Sequence, residues 1–135
     1  MIFVFGSNLA GRHGKGAALY AKTHYDAIQF VGFGRQGSSY AIPTKDSNLN
    51  VLSLQRIEFF VKEFIKYAKT NHEEEFLITR VGCGLAGYTD EQIAPLFKGI
   101  PDNCIIHESW KEFLPESRIT GILAEVLVED FVDND

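Results

Sequence analysis

The sequence predicts an α/β fold, a single three-layer domain around a largely parallel central sheet. Three observations predict it. Short, continuous apolar runs recur at residues 2–5, 40–43, 76–81 and 104–106, as in strands buried on both faces. Stretches of helical periodicity lie between them. Glycine-rich loops follow strands or feed helices, at the end of such sheets where ligands bind.

The elements follow in order. Ile2, Phe3, Val4 and Phe5 form a first strand. "GSNLAGRHGKG" supplies four glycines in eleven residues and reads as a loop. A helix over 16–25 carries Ala17, Leu19, Tyr20, Ala21 and His24 on a partly apolar face. "FVGFGRQGSS" is a second glycine loop. Residues 40–43 form a strand that Pro43 ends, because proline has no N–H for the ladder. From 53 to 69, Ile57, Phe60, Val61, Phe64, Ile65 and Ala68 recur at helical spacing. A polar turn covers 71–75, and a strand covers 76–81. A third glycine loop leads to Thr89 or Asp90, either of which caps a helix running through Phe97. The last core strand is 104–106. Residues 116–131 place Ile119, Ile122, Leu123, Val126 and Leu127 on one helical face, although their β-branched members also suit a strand.

The chain carries a net charge of −5, distributed unevenly. Residues 116–135 hold six acids and one base, while residues 1–115 balance twelve bases with twelve acids. Residues 1–115 are therefore expected to be the ligand-binding domain, and 116–135 an acidic C-terminal extension packed on it or trailing it. A neutral body is not a generic polyanion binder. Cys83 and Cys104 fall in no CxxC or Cys/His spacing, so they read as packing residues, and neither a metal nor a cofactor is expected. No apolar run approaches the roughly 18 residues of a membrane span. The start of the chain lacks a basic n-region and reads as a strand, so the expectation is a cytoplasmic protein with no membrane partner.

Gly82-Cys83-Gly84-Leu85-Ala86-Gly87 fits G-x-G-x-x-G. A dinucleotide-binding unit would place an acid about 20 residues further on, near Glu108. The helix between is short, and little chain remains to complete that sheet. Residues 32–37 match the same spacing, but a strand follows where a helix is required. A phosphate-binding loop of the nucleotide-hydrolase type would need Lys and Ser or Thr after Gly11, where Arg12 and His13 stand. One reading uses all three loops: two clasp a diphosphate and a third closes on a ribose, because glycines let backbone N–H groups approach an anion. The bland alternative is tight turns alone. Arg12, His13 and Lys15 are candidate phosphate contacts, Asn8 either a ribose contact or a turn cap, and Tyr88 and Phe33 either stacking or packing residues.

Three segments resemble the macrodomain family of ADP-ribose-binding α/β proteins. "SNLAGRHGKGAALYA" is similar to the family's first ligand loop, "SSYAIPTKD" to its central strand and exit, and "TRVGCGLAGY" with "IAPLF" to the I-G-C-G-L loop of the terminal ADP-ribose glycohydrolase branch. Small bacterial and phage proteins resemble the chain over most of residues 1–110. The resemblance implies binding of ADP-ribose or a related NAD-derived nucleotide and hydrolysis of an ADP-ribosyl linkage, with an ADP-ribosylated protein or nucleic acid as substrate. It implies Lys45 as the catalytic residue that engages the anomeric carbon. It implies ligand contacts from Asn8, Gly11, Arg12, His13, Gly14, Gly16, Thr44, Gly82, Cys83, Gly84, Leu85, Ala86, Gly87 and Tyr88. Ala86 stands where that branch has its acid; Asp46 and Asp90 are the candidate substitutes. The strands that carry the family's adenine-reading Asp have no counterpart before Ile2. A non-catalytic ADP-ribose-binding module is the alternative, and a protein-interaction domain without nucleotide binding is the second.

Overall fold

The computed structural model describes residues 1–119. Six strands form one sheet: β1 (Ile2–Asn8), β2 (Gly34–Gln36), β3 (Ser39–Lys45), β4 (Phe76–Ile78), β5 (Cys104–Ile106) and β6 (Arg118–Ile119). Among the described residues three α-helices accompany them: α1 (Gly16–His24), α2 (Leu54–Thr70) and α3 (Asp90–Ile93). The strand order is β2-β3-β1-β4-β5-β6, with every pairing parallel except β2 against β3. The fold is thus α/β with a mixed, mostly parallel sheet.

Both faces of the sheet are covered, which is why its strands read as unbroken apolar runs rather than alternating ones. Phe3, Phe5, Leu77 and Ile105 face α1, whose Ala17, Ala18 and Ala21 let the helix lie close to the sheet. Val4, Ile42, Ile78 and Ile106 face the other way, against Ile57, Phe60, Val61 and Phe64 of α2. Burying one such side chain stabilises by roughly 1.5–3 kcal/mol. Ser53 caps α2 by accepting the N–H of Arg56 at 3.2 Å. No helix of the described residues is long and apolar enough to cross a membrane.

Several boundaries differ from expectation for physical reasons. β1 continues to Asn8, since Gly6, Ser7 and Asn8 still pair with Ile42, Pro43 and Lys45. β3 runs through Pro43 to Lys45. The N–H of Phe3 donates to Ser38 O, which sets the alternation as far as Pro43: even-numbered residues of β3 address β1 and odd-numbered ones address β2, an order that the irregularity at Ser7/Asn8 reverses for Thr44 and Lys45. β2 ends with Gly34 opposite Ala41, so the N–H that Pro43 lacks faces no partner strand. Part of the second glycine loop is β2 itself. β4 stops at Ile78, where Thr79 donates both its N–H and its hydroxyl to Val4 O and turns the chain out of the sheet. The helix expected through Phe97 splits into α3 and a 3-10 turn over Ala94–Phe97, because Pro95 has no N–H to continue the α-helical ladder. The helix expected over 116–131 is replaced at 118–119 by β6, while its remainder, with the rest of the acidic extension, lies outside the described residues.

Candidate functional site

β1 and β3 lie side by side, and the register pairs Asn8 with Lys45 at their carboxyl ends after an irregularity at Ser7/Asn8. From β1 the chain returns through α1 to one side. From β3 it crosses through α2, on the opposite face, to β4 on β1's other side. This reversal leaves a crevice beyond the strand ends, the usual ligand position in open α/β sheets.

A cavity of about 190 Å³ occupies it, lined by Asn8, Arg12, Gly14, Lys15, Lys45, Leu49 and Leu85. Three loops contribute, those after β1, β3 and β4. Asn8 builds the first. Its side-chain amide donates to Arg12 O at 3.1 Å and accepts the N–H of Arg12 at 2.9 Å, while Gly11 N–H donates to Asn8 O at 2.9 Å. The turn-capping role of Asn8 is therefore realised, and its side chain is already engaged there as it borders the cavity. The closed turn turns Arg12 outward and leads through Gly14 and Lys15 into α1. Lys15 is the N-cap residue of α1, makes no side-chain cap, and the helix has no acid in its first turn. The free N–H groups and partial positive charge of that helix end lie beside three cationic side chains. Lys45 is only 7% exposed. No carboxylate is among the described residues lining the cavity.

Of the residues singled out in the sequence, Asn8, Arg12, Gly14, Lys15, Lys45 and Leu85 come together here. The others do not line the cavity. His13 points inward, fully buried, its ring edge-on to Phe5 at 5.3 Å. Its Nε2 lies 3.0 Å from Val31 O and 3.2 Å from Gln36 Oε1. Burial pushes its pKa down, against the hydrogen bond with Gln36 that raises it. His13 therefore fastens the first loop to residues 28–36 and is not part of the cavity lining. Gly11, at φ +70°, sits against the backbone of Phe30 and Val31, where any Cβ would collide. Gly16 opens α1. The hydroxyl of Thr44 donates to Ser7 O at 3.3 Å, inside the sheet.

The loop over 82–87 is held mainly at its two ends. Arg80 Nε and Nη2 donate to the two oxygens of Asp90 at 2.9 and 2.7 Å, and Trp110 Nε1 donates to Asp90 Oδ1 at 2.7 Å. Burial would push the Asp90 carboxyl up. The hydrogen bonds from Arg80 and Trp110 outweigh it and hold the carboxyl below its usual range. Tyr88 is a packing residue whose hydroxyl donates to Leu52 O at 2.6 Å. Gly82 packs on Ile93, Cys83 is half-buried with Sγ 3.6 Å from Val81 O, and Ala86 is buried. Neither Gly84 nor Gly87 is part of the lining. Leu85 alone of this loop reaches the cavity. Phe33 packs edge-to-face on Phe60 at 4.9 Å.

Neither candidate acid lines the cavity near Ala86. Both Asp90 oxygens are engaged. Asp46 Oδ1 accepts the N–H groups of Asn48 and Asn50, each at 2.9 Å, and Asp46 does not line the cavity. The dinucleotide-binding unit also fails: α3 has only four residues, and the exposed Glu108 opens a 3-10 turn. Among the described residues no three His, Cys, Asp or Glu side chains gather as a metal-ligand set. The residue missed in the sequence is Leu49; its signal was the turn-rich "DSNLN" that follows Lys45.

No family model matches the chain, and no curated protein or solved structure matches it.

Proposed function

We propose that this cavity binds the phosphorylated ribose portion of ADP-ribose or a related NAD-derived nucleotide. The observation that carries the reading is the convergence of Arg12, Lys15 and Lys45 on the uncapped start of α1, with no carboxylate among the described residues lining the space. Residues 1–115 are neutral overall, so the attraction for an anion is local to this crevice. Arginine and lysine are the side chains that hold phosphate by charge-assisted hydrogen bonds.

Size narrows the ligand portion. The cavity, at about 190 Å³, is smaller than pockets that enclose a whole drug-sized ligand, roughly 300–1,000 Å³. It suits a phosphoribosyl group, with the rest of the nucleotide lying across the rim. The macrodomain resemblance of the three sequence segments supports the same ligand class.

Hydrolysis of an ADP-ribosyl linkage is a second reading, favoured by one observation: a nearly buried lysine, Lys45, borders the cavity. Attack by its amine on the anomeric carbon requires the neutral form and a proton donor for the leaving oxygen. With Asp90 engaged by Arg80 and Trp110 and neither Asp46 nor Asp90 lining the cavity, binding without turnover is the reading we favour.

Calorimetric titration with ADP-ribose, NAD and AMP tests the binding reading, and turnover of ADP-ribosylated substrates by wild type and Lys45→Ala tests the second. Micromolar binding of ADP-ribose without turnover supports the binding module. Turnover abolished by Lys45→Ala supports the hydrolase. Absence of binding to all three nucleotides contradicts both and favours a protein-interaction domain.

A further inference from the structure

Two exposed leucines, from different loops, line the same cationic cavity: Leu49 at 42% exposure and Leu85 at 61%. A single exposed leucine needs no explanation. Two of them bordering a cationic space the size of a phosphoribosyl group are a different matter, because apolar rims beside charged floors suit ligands with one apolar and one anionic part.

The backbone at Leu49 strengthens the point. Its φ is +64°, in the left-handed region that leucine rarely adopts and asparagine or glycine adopt readily. Strain of this kind, in a turn that fully determines it, is a pointer to function. The turn is over-determined. Asp46 N–H donates to Asn50 O at 2.8 Å, and Leu49 N–H donates to Asp46 O at 3.1 Å. Asp46 Oδ1 accepts from both Asn48 and Asn50, and Lys45 bridges Val51 in antiparallel fashion. Asn48 and Asn50, which suit left-handed backbone, flank the position, yet leucine occupies it. Leu85 is presented by a loop anchored at Arg80–Asp90 and at Tyr88.

We propose that Leu49 and Leu85 form an apolar jaw that grips the heterocyclic ring of a nucleotide whose phosphate rests on Arg12, Lys15 and Lys45. The inference rests on the phosphate-binding reading above and adds a selectivity to it. The site takes a ring-bearing phosphate in preference to an inorganic or purely sugar phosphate. Leu49 and Leu85 are specificity-determining residues, with the charged side chains supplying attraction common to all these anions.

Leu49→Asn is the decisive variant, since asparagine tolerates the left-handed backbone better than leucine and keeps the turn. Calorimetry would compare ADP-ribose, ribose 5-phosphate and pyrophosphate on wild type, Leu49→Asn and Leu85→Ala, with thermal melting as a control on folding. Wild type is expected to prefer ADP-ribose. The ratio of ADP-ribose to pyrophosphate affinity is expected to fall roughly five- to tenfold in either variant. Leu49→Asn should melt no lower than wild type. An unchanged ratio in both variants, or a wild type that binds the three ligands equally, overturns the jaw while leaving phosphate binding intact. A wild type that binds none of the three overturns the phosphate-binding reading and the jaw with it.

Discussion

Residues 32–37 and 82–87 share the spacing G-x-G-x-x-G, and the fold uses them differently. In the first segment the outer glycines, Gly32 and Gly37, serve close packing, while Gly34, at φ +91° with no atom within 4 Å of a Cβ, serves conformation. Gly32 lies under the first loop, where a Cβ would run into the carbonyl oxygens of Asn8 and Leu9, and Gly37 lies against Asp26. The residues between them form an antiparallel edge strand, clamped by Gln36 on His13 and by the Arg35–Glu74 pair at 2.8 Å. In the second segment the glycines serve conformation. Gly87, at φ +87°, has no atom within 4 Å of where a Cβ would stand. Gly82, at φ +78°, would place a Cβ only against side chains, the end of Ile93 at 3.1 Å and Thr44 at 3.7 Å. The first segment packs against the loop after β1, while the second is a loop that reaches the cavity through Leu85. A glycine spacing therefore reports backbone freedom, and the elements on either side decide how it is used.

The largest effect should separate the two segments directly. Gly32→Ala forces its Cβ into backbone that cannot move aside and is expected to destabilise by about 3 kcal/mol or more. Gly87→Ala carries only the left-handed backbone strain, about 1–2 kcal/mol. Guanidinium denaturation of the two variants checks the ordering, and equal losses would dissolve the distinction.

Next comes the anchor of the second segment. Asp90→Asn removes charge from a half-buried cluster with Arg80 and Trp110, and should destabilise by about 1–2 kcal/mol at neutral pH. The folded-state pKa of Asp90 is lowered, so its contribution is present above the ordinary carboxylate value near 4 and is lost as pH falls through the folded value. Urea melts at pH 7 and below pH 4 should show the gap between wild type and variant closing in acid.

His13 sharpens the comparison from the side of the first segment. Burial favours its neutral form, so the unfolded chain binds the proton more readily. Stability is full above the ordinary histidine pKa of about 6.5 and declines as pH falls below it, until the folded value is reached. His13→Asn should flatten this part of the stability–pH profile, whatever it does to stability overall.

The smallest effect on stability is expected at Gly14, where a Cβ would have no atom within 4 Å and the φ is not left-handed. Gly14→Ala should change stability by no more than about 0.5 kcal/mol. It should weaken ADP-ribose binding several-fold if backbone at this point approaches the anion.

Local physics made part of this molecule readable in advance. The repeat of Ile57, Phe60, Val61 and Phe64, with Ser53 before it, specifies α2 and its cap within one stretch of chain. The unbroken apolar runs specify strands covered on both sides. A cap at Thr89 or Asp90 marks the start of α3, and the structure selects Thr89, in a capping box with Gln92. The remainder depends on contacts distant in sequence. Pro43 is tolerated because β2 is short, which no local pattern reveals. His13 looks like a loop residue until Phe5, Val31 and Gln36 close over it. Lys45 meets Asn8 through a parallel register, and Leu49 borders the cavity only because Asp46 folds the turn back. Arg12, Gly14 and Lys15 were legible as anion-binding residue types, but their convergence with Lys45 was not.

The most direct test of the central claim is calorimetric titration of ADP-ribose into wild type and an Arg12→Ala/Lys15→Ala double variant, at low and at raised salt. Micromolar binding by wild type is predicted, weakening as salt rises and falling by at least about tenfold in the double variant. Absent binding by wild type, or binding indifferent to both salt and the two substitutions, would contradict a phosphate site at the ends of β1 and β3.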